Sequence, residues 1–227
     1  NASDPKAGNV SNYIERNACY PVYQNTDVTY FDEAVKGLEA QLTDLAKAEQ
    51  FIFMEYHAIE DEYAWSRIQT VLEERVKEGV EVRVFYDDMG SIGFVNLSFA
   101  RKLEAKGIAC RVFNPLLPGL NMFLNNRDHR KITVIDGKVA YTGGMNLADE
   151  YINARVRFGY WKDAAIRLTG ECVWGFTSMF LELWDYILKI ESDYTFYRAT
   201  SMEKHRLQEK IHADEKGFVQ PYTDSPL

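Results

Sequence analysis

Apolar residues at Val35, Leu38, Leu42 and Leu45 recur at intervals of three and four, so Asp32 to Ala48 predicts an amphipathic helix. Directly after it, Phe51 to Met54 is an unbroken apolar run ending at Glu55-Tyr56-His57, the mark of a short buried strand. The same order follows twice more. Trp65, Ile68, Leu72 and Val76 line a second helix that stops at Gly79, and Val80 to Tyr86 predicts a second strand leading into Asp87-Asp88-Met89-Gly90. A helix around Phe94 to Lys106 stops at Gly107, and Ile108 to Phe113 predicts a third strand. Strands separated by helices of about a dozen residues need crossover connections. The expected fold class is therefore α/β, a mixed but largely parallel sheet with helices on both faces.

Past Phe113 the pattern changes. A Pro/Gly/Asn-rich loop, Asn114 to Asn126, contains the apolar stretch Leu116 to Leu124, which fits either acyl-chain contact or core packing. His129 to Ile135 and Lys138 to Thr142 predict two strands joined by the Asp136-Gly137 turn signal. Ala164 to Leu168 predicts one more strand. Glu171 to Ile190, with Val173, Phe176, Phe180, Leu183, Trp184 and Ile187, predicts a long core helix. Beyond Ile190 the periodicity weakens, and Gly217 to Tyr222 reads as a strand beginning. The expected division is a polar leader at 1–31, a main unit at 32–190 and a helical linker at 191–227 that opens a further unit.

The 227 residues carry 26 Lys+Arg against 34 Asp+Glu, a net charge of −8 that excludes a generally basic nucleic-acid binder. At 46% apolar and 26% charged, the composition suits one large globular domain or at most two small ones. Residues 101–138, however, hold 8 basic and 3 acidic side chains, a local excess that would attract a phosphate-bearing ligand. Cys19, Cys110 and Cys172 are too scattered for a disulfide framework, and no Cys or His pair has metal-ligand spacing, so no metal is expected. No window reaches the roughly 18 apolar residues of a membrane span, because Val173 to Ile190 contains Glu182 and Asp185.

Within that basic stretch and just past it, His129, Lys131, Asp136, Gly143, Gly144 and Asn146 are spaced H-x-K-x4-D-x6-G-G-x-N. Residues two apart on a strand share a side, so His129 and Lys131 project together and Arg130 points away. An imidazole beside a fixed cation suits attack on a phosphodiester, with the ammonium neutralising charge on the non-bridging oxygens. Gly143 and Gly144 leave room for backbone to approach a phosphate, and the Asn146 amide is expected to donate to it. Asp163, opening an apolar strand, is the candidate to orient the imidazole. Asp136, at a strand-turn boundary, belongs to the catalytic motif but is expected to hold the turn or bridge to a cation. Glu55 and Arg130 complete the substrate-binding candidates. Asp87 and Asp88, at the end of a strand, fit ligand contact and plain surface polarity equally. Arg155 and Arg157 read as exposed, and His57, His205 and His212 as structural or surface residues, with His57 nearest the pocket.

The spacing resembles the signature of the phospholipase D superfamily. The stretches at 51–57, 79–90, 113–115, 126–137, 143–153 and 158–163 resemble, more narrowly, bacterial cardiolipin synthase. That resemblance implies a phospholipase D-like catalytic half at 32–190 that moves a phosphatidyl group between two phosphatidylglycerol molecules, through a phosphohistidine and with no cofactor. It implies that Asp163 matches the family's acidic residue, and that one motif is half of a site completed by a missing second half or by another copy of the chain. Membrane helices and the second half are expected to be absent here, leaving a soluble piece on the cytoplasmic side of a protein that works at the cell membrane. Two other readings fit the motif: a self-dimerising phosphodiesterase, lipase or nuclease, and a catalytically silent lipid-binding half.

Overall fold

A computed structural model describes residues 4–116, 125–157, 159–208 and 217–224, with the backbone alone for 202–208. Helix α1 (Pro5–Ala18) and strand β1 (Thr26–Phe31) form in the segment expected as a polar leader. There follow α2 (Ala34–Leu45), β2 (Phe51–Tyr56), α3 (Tyr63–Lys77), β3 (Glu81–Asp87), α4 (Phe99–Glu104) and β4 (Ala109–Phe113). After the loop come β5 (Lys131–Ile135), β6 (Val139–Gly143), β7 (Ala165–Gly170), α5 (Val173–Leu188) and α6 (Thr195–Gln208). Helix α6 falls within the segment expected as a helical linker. Of the strand expected at 217–222, one bridge forms, Tyr23 to Val219. The apolar stretch proposed for lipid contact falls mostly at 117–124, outside the described residues.

The seven strands make one sheet in the order β1-β7-β6-β5-β2-β3-β4. Helices cover both faces, as expected, but the sheet is mostly antiparallel. Only β2 with β3 and β3 with β4 are parallel. The pairs β1·β7, β7·β6, β6·β5 and β5·β2 are antiparallel. The expectation extended the helix-crossover rule beyond its range: α3 and α4 return the chain to parallel neighbours, whereas β5 and β6 are a hairpin. Asp136 and Gly137, at φ +53° and +60°, make the tight turn that forces antiparallel pairing.

Strand β2 lies at the centre and is buried along its whole length. Its alternate side chains serve two cores. Ile52, Met54 and Tyr56 pack with Leu38, Trp65, Ile68 and Phe99 of α2, α3 and α4. Phe51 and Phe53 pack with Phe176, Phe180 and Trp184 of α5 and Tyr197 of α6. Phe53 stacks on Phe180 with ring centroids 4.6 Å apart. Burying such a ring contributes about 2–3 kcal/mol, so these layers hold the strand ends still. Helix α2 sits tight on β7 because Gly37 has no Cβ, which would stand 2.6 Å from the Ala165 Cβ. Cys110 and Cys172 are buried and Cys19 is exposed.

Candidate active site

The site lies where the chain enters β5. His129 and Arg130 precede the first strand residue, Lys131, in extended backbone. The His129 imidazole is exposed, while Lys131 is 5% exposed and reaches up beneath it. Lys131 Nζ donates to His129 Nδ1 at 3.2 Å and to the His129 carbonyl oxygen at 2.6 Å. Imidazole and ammonium therefore meet, with the ring open to solvent. Burial pushes the Lys131 ammonium down to about 8, against the pull of the Asp128 and Asp163 charges. His129 is lowered by burial, then by the Lys131 and His57 charges, with Asp128 and Asp87 opposing. A ring that stays neutral below the ordinary histidine range keeps a lone pair for nucleophilic attack.

Several expected roles change in the folded chain. Arg130 does point away from Lys131, but into a buried ion cluster: it pairs with Glu55, and its Nε lies 3.3 Å from Asp128 Oδ1. Glu55 is fully buried. Burial first, and the Asp128 charge second, hold its carboxyl well above the usual range. Both residues point to the α5 side, with the odd-numbered positions of β2 and the even-numbered positions of β5. Asp136 stands at the far end of β5 from His129. Its Oδ1 accepts from the backbone N–H of Gln50 at 2.7 Å and of Phe51 at 3.0 Å, and its Oδ2 from Glu49 at 3.0 Å. It ties the turn to the start of β2 and is remote from any chemistry at His129.

Asn146 is 3% exposed; its Oδ1 accepts from Ala58 N–H at 3.1 Å and its amide donates to Tyr151 Oη at 2.8 Å. It knits the motif's tail to the loop after β2. Two glycines make room for protein, in contrast to the expected phosphate. A Cβ on Gly143 would lie 2.4 Å from the Ala164 carbonyl oxygen, and one on Gly144 2.3 Å from Asp163 Oδ1. Asp163 in turn accepts from Ala164 N–H at 2.8 Å and Trp161 Nε1 at 3.3 Å. Its charge acts on Lys131, and no hydrogen bond joins it to His129 among the described residues.

Other side chains hold the segment around His129 and the loops beside it. Asp87, fully buried at the end of β3, accepts from Asp128 N–H at 2.9 Å, Arg127 at 3.2 Å and Gly90 N–H at 3.0 Å. Asp88 accepts from Leu116 N–H at 2.7 Å. Arg155 pairs with Glu60 at 2.6 Å and Arg157 with Glu150 at 3.2 Å. Asp149, two residues past Leu147, caps α3 by accepting from Ala64 N–H at 2.7 Å. The signal for Asp87 and Asp128 was their place at strand ends beside the motif; their partners lie 40 residues away in sequence and had no local mark.

Residues 42–156 match the family described as cardiolipin synthase, PLD-like domain. The chain belongs to that family. It is 45% identical over 225 residues to an uncharacterized Streptococcus mutans protein, covering 99% of this chain and 47% of that one. It is 36% identical over 162 residues to a cardiolipin synthase of Oceanobacillus iheyensis, covering 71% of this chain and 34% of that one. The chain thus spans between a third and a half of the length of these curated relatives. Among solved structures, the phospholipase D family member Nuc from Salmonella typhimurium shares the fold, with a TM-score of 0.52, 19% identity and coverage of 77% of this chain and 99% of that one. No helix among the described residues is long and apolar enough to cross a membrane, and no group of three or more His, Cys, Asp and Glu among them is arranged to hold a metal ion.

Proposed function

We propose that this chain supplies one half of a phosphatidyl-transfer site, with residues 32–190 as the catalytic unit and β1 completing its sheet. The observation that carries the reading is the exposed His129 ring with an ammonium 3.2 Å from its Nδ1. In the first step an imidazole nitrogen attacks the phosphorus of phosphatidylglycerol, and the bond from phosphorus to the glycerol oxygen breaks. The departing oxygen takes a proton and leaves as glycerol; the phosphatidyl group stays on histidine. The hydroxyl of a second phosphatidylglycerol then attacks phosphorus, breaks the P–N bond and releases its proton, giving cardiolipin and free imidazole. Lys131 holds the non-bridging oxygens, a contact typically worth about 3–4 kcal/mol of transition-state stabilisation.

Both proton transfers require a group on the other side of phosphorus, so a second histidine completes the site. The greater length of the curated relatives supports a second half within a longer chain at the cell membrane. A rival, a phosphodiesterase completed by a second copy and using water as acceptor, draws support from Nuc, where one such unit accounts for 99% of a whole chain. The test is a labelled phosphatidyl donor offered to the chain alone and to the longer protein. Label on histidine that disappears in His129→Ala supports the reading, and products formed with and without glycerol separate transfer from hydrolysis. A catalytically silent half would take up no label in either form, and that result overturns the proposal.

A further inference from the structure

His57 follows β2 and has no place in the H-x-K-x4-D spacing. In the folded chain it stands against the catalytic histidine, with ring centroids 4.6 Å apart and planes 51° to one another. Its Nδ1 is 2.7 Å from the carbonyl oxygen of Asp128. A carbonyl only accepts, so that nitrogen carries the proton, and the tautomer of a neutral His57 is fixed with it there. Asp128 immediately precedes His129, and its own N–H is held by Asp87. The peptide ahead of the catalytic residue is therefore gripped from both sides, by His57 at its oxygen and by Asp87 at its nitrogen. Gly90 closes the third side: a Cβ there would stand 2.7 Å from His57 Cε1 and Nε2. The His57 ring has no space to swing away.

We propose that His57 is the positioning residue of His129: it fixes the peptide that carries the catalytic imidazole and, as a second imidazole in ring contact, keeps that imidazole uncharged. The inference rests on the assignment of His129 as the reacting group. A proton on each ring would place two unit charges about 4.6 Å apart beside the Lys131 ammonium. In water that repulsion alone costs about 0.9 kcal/mol, or about 0.7 of a pH unit, and more where burial lowers the dielectric. The charges facing His129 are Lys131 from β5, His57 from the end of β2, Asp87 from the end of β3 and Asp128 from its own segment. Asp163, ahead of β7, acts on Lys131. Lys131 and His57 oppose protonation of His129 and the two carboxylates favour it.

The experiment follows the imidazole nitrogens by NMR across pH 5 to 9 in the 227-residue chain labelled at histidine, and requires no catalysis. In the wild type, His57 is expected as the Nδ1–H form, and His129 titrates below the ordinary histidine midpoint. His57→Gln keeps an N–H donor for the Asp128 oxygen and removes the second imidazole; the His129 midpoint is expected to rise by at least about 0.7 unit. His57→Leu loses both, and is expected to raise the midpoint and broaden the His129 signals as the peptide loosens. An unchanged His129 midpoint in His57→Gln overturns the proposal, even if His57→Leu fails to fold. Label trapping in His129→Ala reports separately on the parent assignment: trapping that survives there sinks the reaction scheme and leaves the imidazole pairing standing.

Discussion

Arg130 and Lys131 are consecutive cations with opposite fates. Arg130 turns to the α5 side, where Glu55 and Asp128 close on it, and their charges raise the guanidinium above its ordinary value although burial opposes them. Lys131 turns to the other side, where it meets an imidazole and a carbonyl, and burial pulls it down to about 8. Among the described residues, Lys131 forms no ion pair with a carboxylate. The difference teaches which of the two is free for an anion. A cation already paired with buried acids has little left for a phosphate, whereas a buried ammonium paired with an imidazole and a carbonyl costs the fold stability when charged.

The sharpest way to break this contrast is Arg130→Leu. Removing the guanidinium leaves Asp128 and Glu55 buried without their cation, and the expected loss is about 3–5 kcal/mol in urea unfolding. A loss below 1 kcal/mol would mean the cluster is not structural. Lys131→Met should do the reverse. Label transfer by the completed site is expected to fall about 10²–10³-fold, while the fold gains up to ~2–3 kcal/mol. The sign follows from the depressed value: a lysine that sits at about 8 when folded and at 10.5 when unfolded is penalised in the folded state when charged. Its contribution is fully favourable above 10.5 and is lost as pH falls through about 8, so at pH 7 the penalty is in force.

Asp136→Ala probes the far end of the same strand. It removes the acceptor of the Glu49, Gln50 and Phe51 N–H groups and is expected to cost about 2–3 kcal/mol of stability, with the His129 titration unmoved. A shifted His129 midpoint would contradict the separation of the two ends. The smallest effect sharpens the role of Lys131 itself. Affinity for inorganic phosphate, measured by calorimetry, should hold below pH 8 and fall as pH rises through it, by about tenfold per unit at the limit. Affinity that persists to pH 10 would assign the anion to another cation.

The hydrophobic spacing made the strand-helix units legible, because period and burial are local properties of β2, α3, β3 and α5. It missed α1 and β1 in the segment expected as a polar leader, and it misjudged strand direction, because β5 pairs with β2 across a loop that carries no record of its partner. The motif made His129 and Lys131 legible for a similar reason: two residues apart in extended chain is a short-range geometry. Asn146, Gly143 and Gly144 were expected at a phosphate and Asp163 at the imidazole. In the fold they chiefly fasten the strands and loops around the site to one another.

The sequence by itself determined the α/β class, the turn at Asp136-Gly137, the family and the pairing of one imidazole with one ammonium, since each depends on residues close together in the chain. Tertiary structure decided that Glu55 is sealed inside against Arg130, that Asp87 and His57 hold the backbone of Asp128 ahead of His129, and that burial lowers Lys131. Burial and partner charge are properties of what the folded chain brings from 40 or 70 residues away, and it is those, more than residue type, that separate the environments of Arg130 and Lys131.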